Sequence, residues 1–190
     1  MRTTTARVAA AALVLLATGG AVFAAARRQE EPGPAKASKP HELLKQFEGT
    51  WETKSEFQAG PDSPMMKSTG TETDKFIVGG LFLSSDTKAD MGGMTFEAHS
   101  ILGYDQHKKK YTGSWVDNMS TAIWPYEGTV DDTGKVFTLM MEGPDPMSGK
   151  MTKIKLVHEI TGKDTRKLTL FMPGPDGKEF QMKIDFTRKK

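Results

Sequence analysis

Two side chains have the chemistry of a general acid or base and positions from which it could be used inside a folded core. His158 lies in the run Ile154-Lys155-Leu156-Val157-His158-Glu159-Ile160, where it alternates with Ile154, Leu156 and Ile160 on one apolar face. An inward imidazole can bind haem iron, ligate another metal or exchange a proton. It can equally be a satisfied interior polar group. Asp117 shares the parity of Tyr111 and Trp115, which turns it inward near a strand end. There a buried carboxyl has a raised pKa and can act as a base, or it can bond the amides of the following turn. Trp115, Trp124 and Tyr126 fall on neighbouring strands, as one side of an apolar pocket or as plain core. With Met119 in the turn between them, the candidate ligand-binding set is Trp115, Asp117, Met119, Trp124, Tyr126 and His158. The sequence assigns no catalytic residue and no metal site, and it names no cofactor.

Composition closes off much other chemistry. The chain has no cysteine, which excludes disulfides, thiolate metal sites, a cysteine nucleophile and a lipidated cysteine. No nucleophile elbow, phosphate-binding glycine loop, dinucleotide fingerprint or two-histidine zinc helix is present. Lys and Arg total 26 against 24 Asp and Glu, and two of the positives, Arg2 and Arg7, lie in the first 26 residues, which contain no acid. The remainder is neutral, so there is no electrostatic case for a nucleic-acid partner.

Residues 1–26 have a short basic start, an apolar run from Val8 and a small-residue end, the layout of a secretory signal peptide. Small-x-small sites follow Ala24 and Ala26; an uncleaved anchor is the alternative, weakened by Gly19-Gly20. Residues 27–40, with three prolines and no large apolar side chain, read as a disordered linker. The folded domain is then 41–190, exported to the periplasm or the exterior, with no stable membrane association once the signal is cleaved.

The elements that must position the candidate residues are strands. After a short helix in His41-Glu42-Leu43-Leu44-Lys45-Gln46-Phe47, ten alternating segments are separated by turn signals such as Gly79-Gly80 and Asp131-Asp132-Thr133-Gly134. They are predicted at 49–58, 67–78, 81–90, 94–104, 110–118, 121–131, 135–142, 151–161, 165–172 and 178–188. Tight links throughout favour a single up-and-down antiparallel β-barrel over a sandwich, whose Greek-key crossovers need longer connections.

Gly49-Thr50-Trp51 after a helical turn resembles the G-x-W opening of the calycin barrels, which include lipocalins and fatty-acid-binding proteins. In those folds a basic residue near the end of the last strand stacks on the tryptophan. Here Arg188 is placed to do so, and Trp51 with Arg188 is the expected structural latch. A closer resemblance rests on Gly103-Tyr104-Asp105, Lys110-Tyr111, Trp115-Val116-Asp117-Asn118-Met119-Ser120 and Glu127-Gly128, with Gly79-Gly80-Leu81-Phe82. These are similar to the domain-of-unknown-function 1579 family. The resemblance implies a calycin-like barrel and no particular activity.

In such a barrel alternate hairpins share an end. The odd connections hold or adjoin Met65, Met66, Met91, Met94, Met119, Met147, Met151 and Met172, and all three Gly-Pro-Asp turns. A methionine-rich end can be an adaptable ligand mouth, a soft-ion site, or packing alone. The expected function is binding of a small apolar or amphipathic molecule in the interior. The alternatives are a cavity enzyme using His158 and Asp117, and an interaction module with a filled core.

Overall fold

Small turn residues set at short intervals between alternating segments fold the chain into consecutive hairpins. The computed structural model describes residues 33–58, 64–145, 149–174 and 178–190. The expected signal peptide, the first part of the linker and Met147 lie outside the described residues. Helix α1 (Lys39–Leu43) continues into a 3-10 turn (Leu44–Gln46). Ten strands follow: β1 (Gly49–Phe57), β2 (Met66–Ile77), β3 (Phe82–Asp90), β4 (Thr95–Asp105) and β5 (Lys110–Asp117), then β6 (Trp124–Val130), β7 (Val136–Pro144), β8 (Met151–Ile160), β9 (Thr165–Pro173) and β10 (Glu179–Arg188).

Each strand pairs antiparallel with its neighbours in sequence, and β10 returns to β1, so the sheet closes into one barrel. The closing register sets Trp51 opposite Arg188 and Ser55 opposite Ile184. Closure leaves no free sheet edge among these strands. Strand β6 begins three residues later than its alternation suggests. Asp117 Oδ1 accepts from the Met119 amide at 2.9 Å and Ser120 Oγ from the Ala122 amide at 3.0 Å, which folds 118–123 into a turn. The helix begins at Lys39, inside the stretch expected to be linker. Ser38 caps it, Pro40 fits its first turn, and His41 Nδ1 accepts from the Ser38 amide at 3.0 Å.

The helical segment closes the end that holds the even hairpins. Leu44 and Phe47 are buried there, with Phe47 edge-on to Phe137 at 5.1 Å between centroids. Gln46 Nε2 donates to the Gly134 carbonyl at 2.9 Å, and Tyr111 donates its hydroxyl to the Pro40 carbonyl at 2.9 Å. No described helix is long and apolar enough to cross a membrane.

Candidate functional site

Period-2 alternation puts one face of every strand inside the ring. The space they enclose is a cavity of about 1050 Å³ above the helical plug. Its outer rim includes Met91, Asp145, Lys150 and Met151, all beside the odd hairpins. The lining differs around the ring. From β1 to β4 it is rich in hydroxyls, with Thr53, Ser55, Ser68, Ser85, Thr87 and Ser100, though Leu83 and Leu102 interrupt them. From β7 to β10 it is mostly hydrocarbon, including Leu139, Met141, Ile154, Leu156, Leu170 and Ile184.

The floor is a buried charge network. Arg166 Nη2 on β9 donates to Glu72 Oε1 at 2.6 Å and to Asp74 Oδ2 at 2.8 Å, both on β2. The guanidinium carbon lies 3.9 Å from the Phe186 ring centroid, 4.7 Å from Trp51 and 5.1 Å from Phe47. Such stacking suits a weakly hydrated, planar cation. Burial, and then the charge of Glu72, push the Asp74 carboxyl up to about 8, against the opposing pull of Arg166, Ser85 and Arg188. Among the described residues, Asp74 Oδ1, Arg166 Nε and His158 Nδ1 are buried without a hydrogen-bond partner.

Beneath this floor is the latch. The Arg188 guanidinium carbon lies 4.0 Å from the Trp51 ring centroid. Its nitrogens donate to the Glu48 and Gln46 carbonyls, and Nε pairs with Asp164 at 3.2 Å. Trp51 Nε1 donates to the Phe47 carbonyl at 2.7 Å. Gly49 has φ +133, and a Cβ there would collide with the Arg188 guanidinium. The glycine of the Gly-x-Trp sequence is thus required both by conformation and by the passage of that arginine.

Of the residues singled out in the sequence, Trp115, Asp117, Trp124, Tyr126 and His158 line the cavity. Trp124 lies over Gly143 and Tyr126 over Gly113, where any side chain would strike the rings. Tyr126 gives its hydroxyl proton to the Ile101 carbonyl at 3.1 Å. Trp115 stacks on Phe96 and donates Nε1 to Asp117 Oδ2 at 2.7 Å. Both oxygens of Asp117 are therefore engaged, one by the turn and one by the indole. His158 is at the opposite end, edge-on to Phe47 at 5.6 Å, and burial followed by Arg166 holds it down to about 3, so it is neutral. The two acid-base candidates do not converge: Asp117 ends β5 at the mouth, and His158 is near the floor end of β8.

Met119 corrects the expected mouth. Its side chain is half exposed in the β5–β6 turn and is not part of the cavity wall. Met65, Met66 and Met94 are exposed as well, whereas Met91, Met151 and Met172 do line the cavity. Hairpin parity fixes the end at which a residue sits but not the direction its side chain takes within a turn. Among the described residues no group of three His, Asp or Glu side chains could hold a metal ion.

Glu72, Asp74 and Arg166 were missing from the sequence-derived set. Their signal was parity: Arg166 alternates with Leu168, Leu170 and Met172, and Glu72 and Asp74 alternate with Phe76.

Ten antiparallel strands closed around a cavity, plugged by a helix and latched by arginine on tryptophan, make this a calycin-like barrel. The chain belongs to the family described as protein of unknown function (DUF1579), which it matches over residues 36–188. Its fold is similar to that of an S-type phycobiliprotein lyase, CPES, from Guillardia theta. That likeness has a TM-score of 0.57 at 10% identity and covers 78% of this chain and 92% of that one. A redesigned β-barrel, b11L5F_LGL, has a TM-score of 0.43 at 10% identity, covering 82% and 100%. No curated protein matches the sequence.

Proposed function

We propose that this protein is a non-catalytic binding protein that holds a small amphipathic molecule inside its barrel. The observation that carries the reading is the cavity of about 1050 Å³, with hydroxyls along one arc and hydrocarbon along another. Ligand sites are typically about 300–1000 Å³ and mostly apolar, with a few fixed polar groups. Trp115, Asp117, Trp124, Tyr126 and His158 are the proposed contacts. The separation of Asp117 from His158 weighs against an enzyme that uses them as a pair. The size of the cavity weighs against a filled interaction module. Export to the periplasm or exterior is part of the same proposal, and it rests on the signal-peptide layout of residues 1–26.

The uncharged probe N-phenyl-1-naphthylamine tests it. One probe is expected to bind per chain, and Leu170→Trp, which fills the apolar arc, is expected to weaken binding by at least about tenfold. An absence of probe binding, or equal binding by that variant once its fold is confirmed, contradicts the reading.

A further inference from the structure

The hydroxyl-rich arc carries two acidic side chains that line the cavity, Glu72 and Asp74, and Glu72 is the more accessible and is fixed in place. The Glu72 side chain is 13% exposed, whereas those of Arg166 and Asp74 beside it are each 1% exposed. Arg166 Nη2 donates to Glu72 Oε1, and Thr87 Oγ1 donates to Oε2 at 2.8 Å. Both oxygens are thereby oriented before any ligand arrives, and a carboxylate oxygen can accept more than one hydrogen bond. The guanidinium behind it is closed to a ligand, because it is sealed from solvent among Phe186, Trp51 and Phe47.

The charge that an entering ligand can reach is of one sign. Two carboxyl groups share a single guanidinium. Burial first, and then the charge of Glu72, raise the Asp74 pKa, so at neutral pH Asp74 keeps its proton and the floor is the ion pair of Glu72 with Arg166, of which Glu72 is the more exposed partner. The other titratable groups that face the cavity do not remedy this. His158 is neutral, Asp117 is another acid with both oxygens engaged, and Asp145 and Lys150 are an acid and a base at the rim. An anionic head entering the cavity would meet Glu72 rather than Arg166.

We infer that the cavity selects an amphipathic molecule with a basic amine, whose ammonium docks on Glu72 between the hydroxyls of the polar arc, and that it disfavours carboxylate-headed chains. The inference rests on the binding-protein reading above. An ammonium offers three donors to Glu72 and to hydroxyls such as Thr87 and Ser100, and its alkyl body lies along the hydrocarbon arc. The formal charge of the chain is +2, so any preference for a cation has to come from the cavity and not from the overall field.

The experiment is competition against N-phenyl-1-naphthylamine by dodecylammonium, dodecanol and dodecanoate, each below its micellar concentration. Dodecylammonium is expected to bind at least about tenfold more tightly than dodecanoate, with dodecanol between them. Glu72→Gln is expected to narrow the gap to about threefold or less. The order in the wild-type protein decides the matter even if that variant fails to fold. Dodecanoate binding as tightly as dodecylammonium overturns the inference, and so does an unchanged preference in a folded Glu72→Gln protein. If the probe binds and none of the three displaces it, this inference falls while the binding-protein reading stands; if the probe itself does not bind, both fall.

Discussion

At the closed end of the barrel, Trp51 has Arg166 at 4.7 Å and Arg188 at 4.0 Å from its ring, and its indole N–H is bonded to Phe47. At the open end, Met65, Met94, Met119, Ile123 and Met151 are between 45% and 67% exposed. One end is built from rings and charges whose partners are specified to within a few tenths of an ångström. The other is built from unbranched or solvent-facing apolar groups that can repack. Buried ion networks are costly to desolvate and are a weak route to stability, but removing one member leaves the others unpaired. The closed end is therefore where substitutions cost most, and the open end is where they alter access.

Arg166→Met is expected to have the largest effect. It strands Glu72 and Asp74, and about 3–5 kcal/mol of stability should be lost in urea unfolding. The same measurement on Met151→Ala at the rim is expected to change stability by less than about 0.5 kcal/mol, because that side chain is 65% exposed. A comparable loss at both positions would remove the distinction between the ends.

The floor also imposes a pH dependence. Asp74 is raised from 3.8 to about 8, so its contribution is complete below the unfolded value and is lost as pH rises through about 8. His158 is lowered from 6.5 to about 3, so its contribution is present above 6.5 and is lost as pH falls towards 3. Between 3.8 and 6.5 the two slopes oppose each other. From pH 6.5 to 8 only Asp74 acts, and stability is expected to fall by up to about 1.4 kcal/mol per pH unit. Asp74→Asn, which mimics the protonated form, is expected to abolish that fall in parallel urea titrations at the two pH values.

Arg188→Ala sharpens the comparison within the closed end. It removes the outer guanidinium over Trp51 and the bonds to Gln46 and Glu48, and leaves Arg166 in place. A loss of about 1–3 kcal/mol is expected, smaller than that at Arg166. The smallest effect is expected at Met119: Met119→Trp should leave probe affinity within about twofold of wild type, since the side chain is outside the cavity wall.

The strands were legible because alternation and turn residues are local signals. In β8 and β10 the apolar face is continuous, and the observed bounds differ from the expected ones by only a residue. The latch was legible through the resemblance of Gly49-Thr50-Trp51 to the calycin opening, which implies a basic residue near the end of the last strand, and the closed ring sets Arg188 opposite Trp51. The charge network was not. Strand β2 reads Thr-Gly-Thr-Glu-Thr-Asp-Lys over residues 69–75, with polar residues on both faces, so the parity of Glu72 and Asp74 with Phe76 alone is a weak guide to which face turns inward. Arg166 could be placed inside by its parity with Leu168. Its partners, however, are 92 and 94 residues away on β2, with β10 and β1 between them in the ring, a pairing that sequence spacing does not encode.

On the binding-protein reading, the mouth admits an apolar body to an interior wall. Photolysis of a small alkyl diazirine with the dilute protein, followed by mass-spectrometric mapping, tests it directly. Labels are expected on inward residues of the cavity, such as Trp115, Met141, Leu170 and Met172, and are expected to be suppressed by excess N-phenyl-1-naphthylamine. Labels confined to the exposed Met65, Met94, Met119 and Ile123, and unaffected by that competitor, would contradict it.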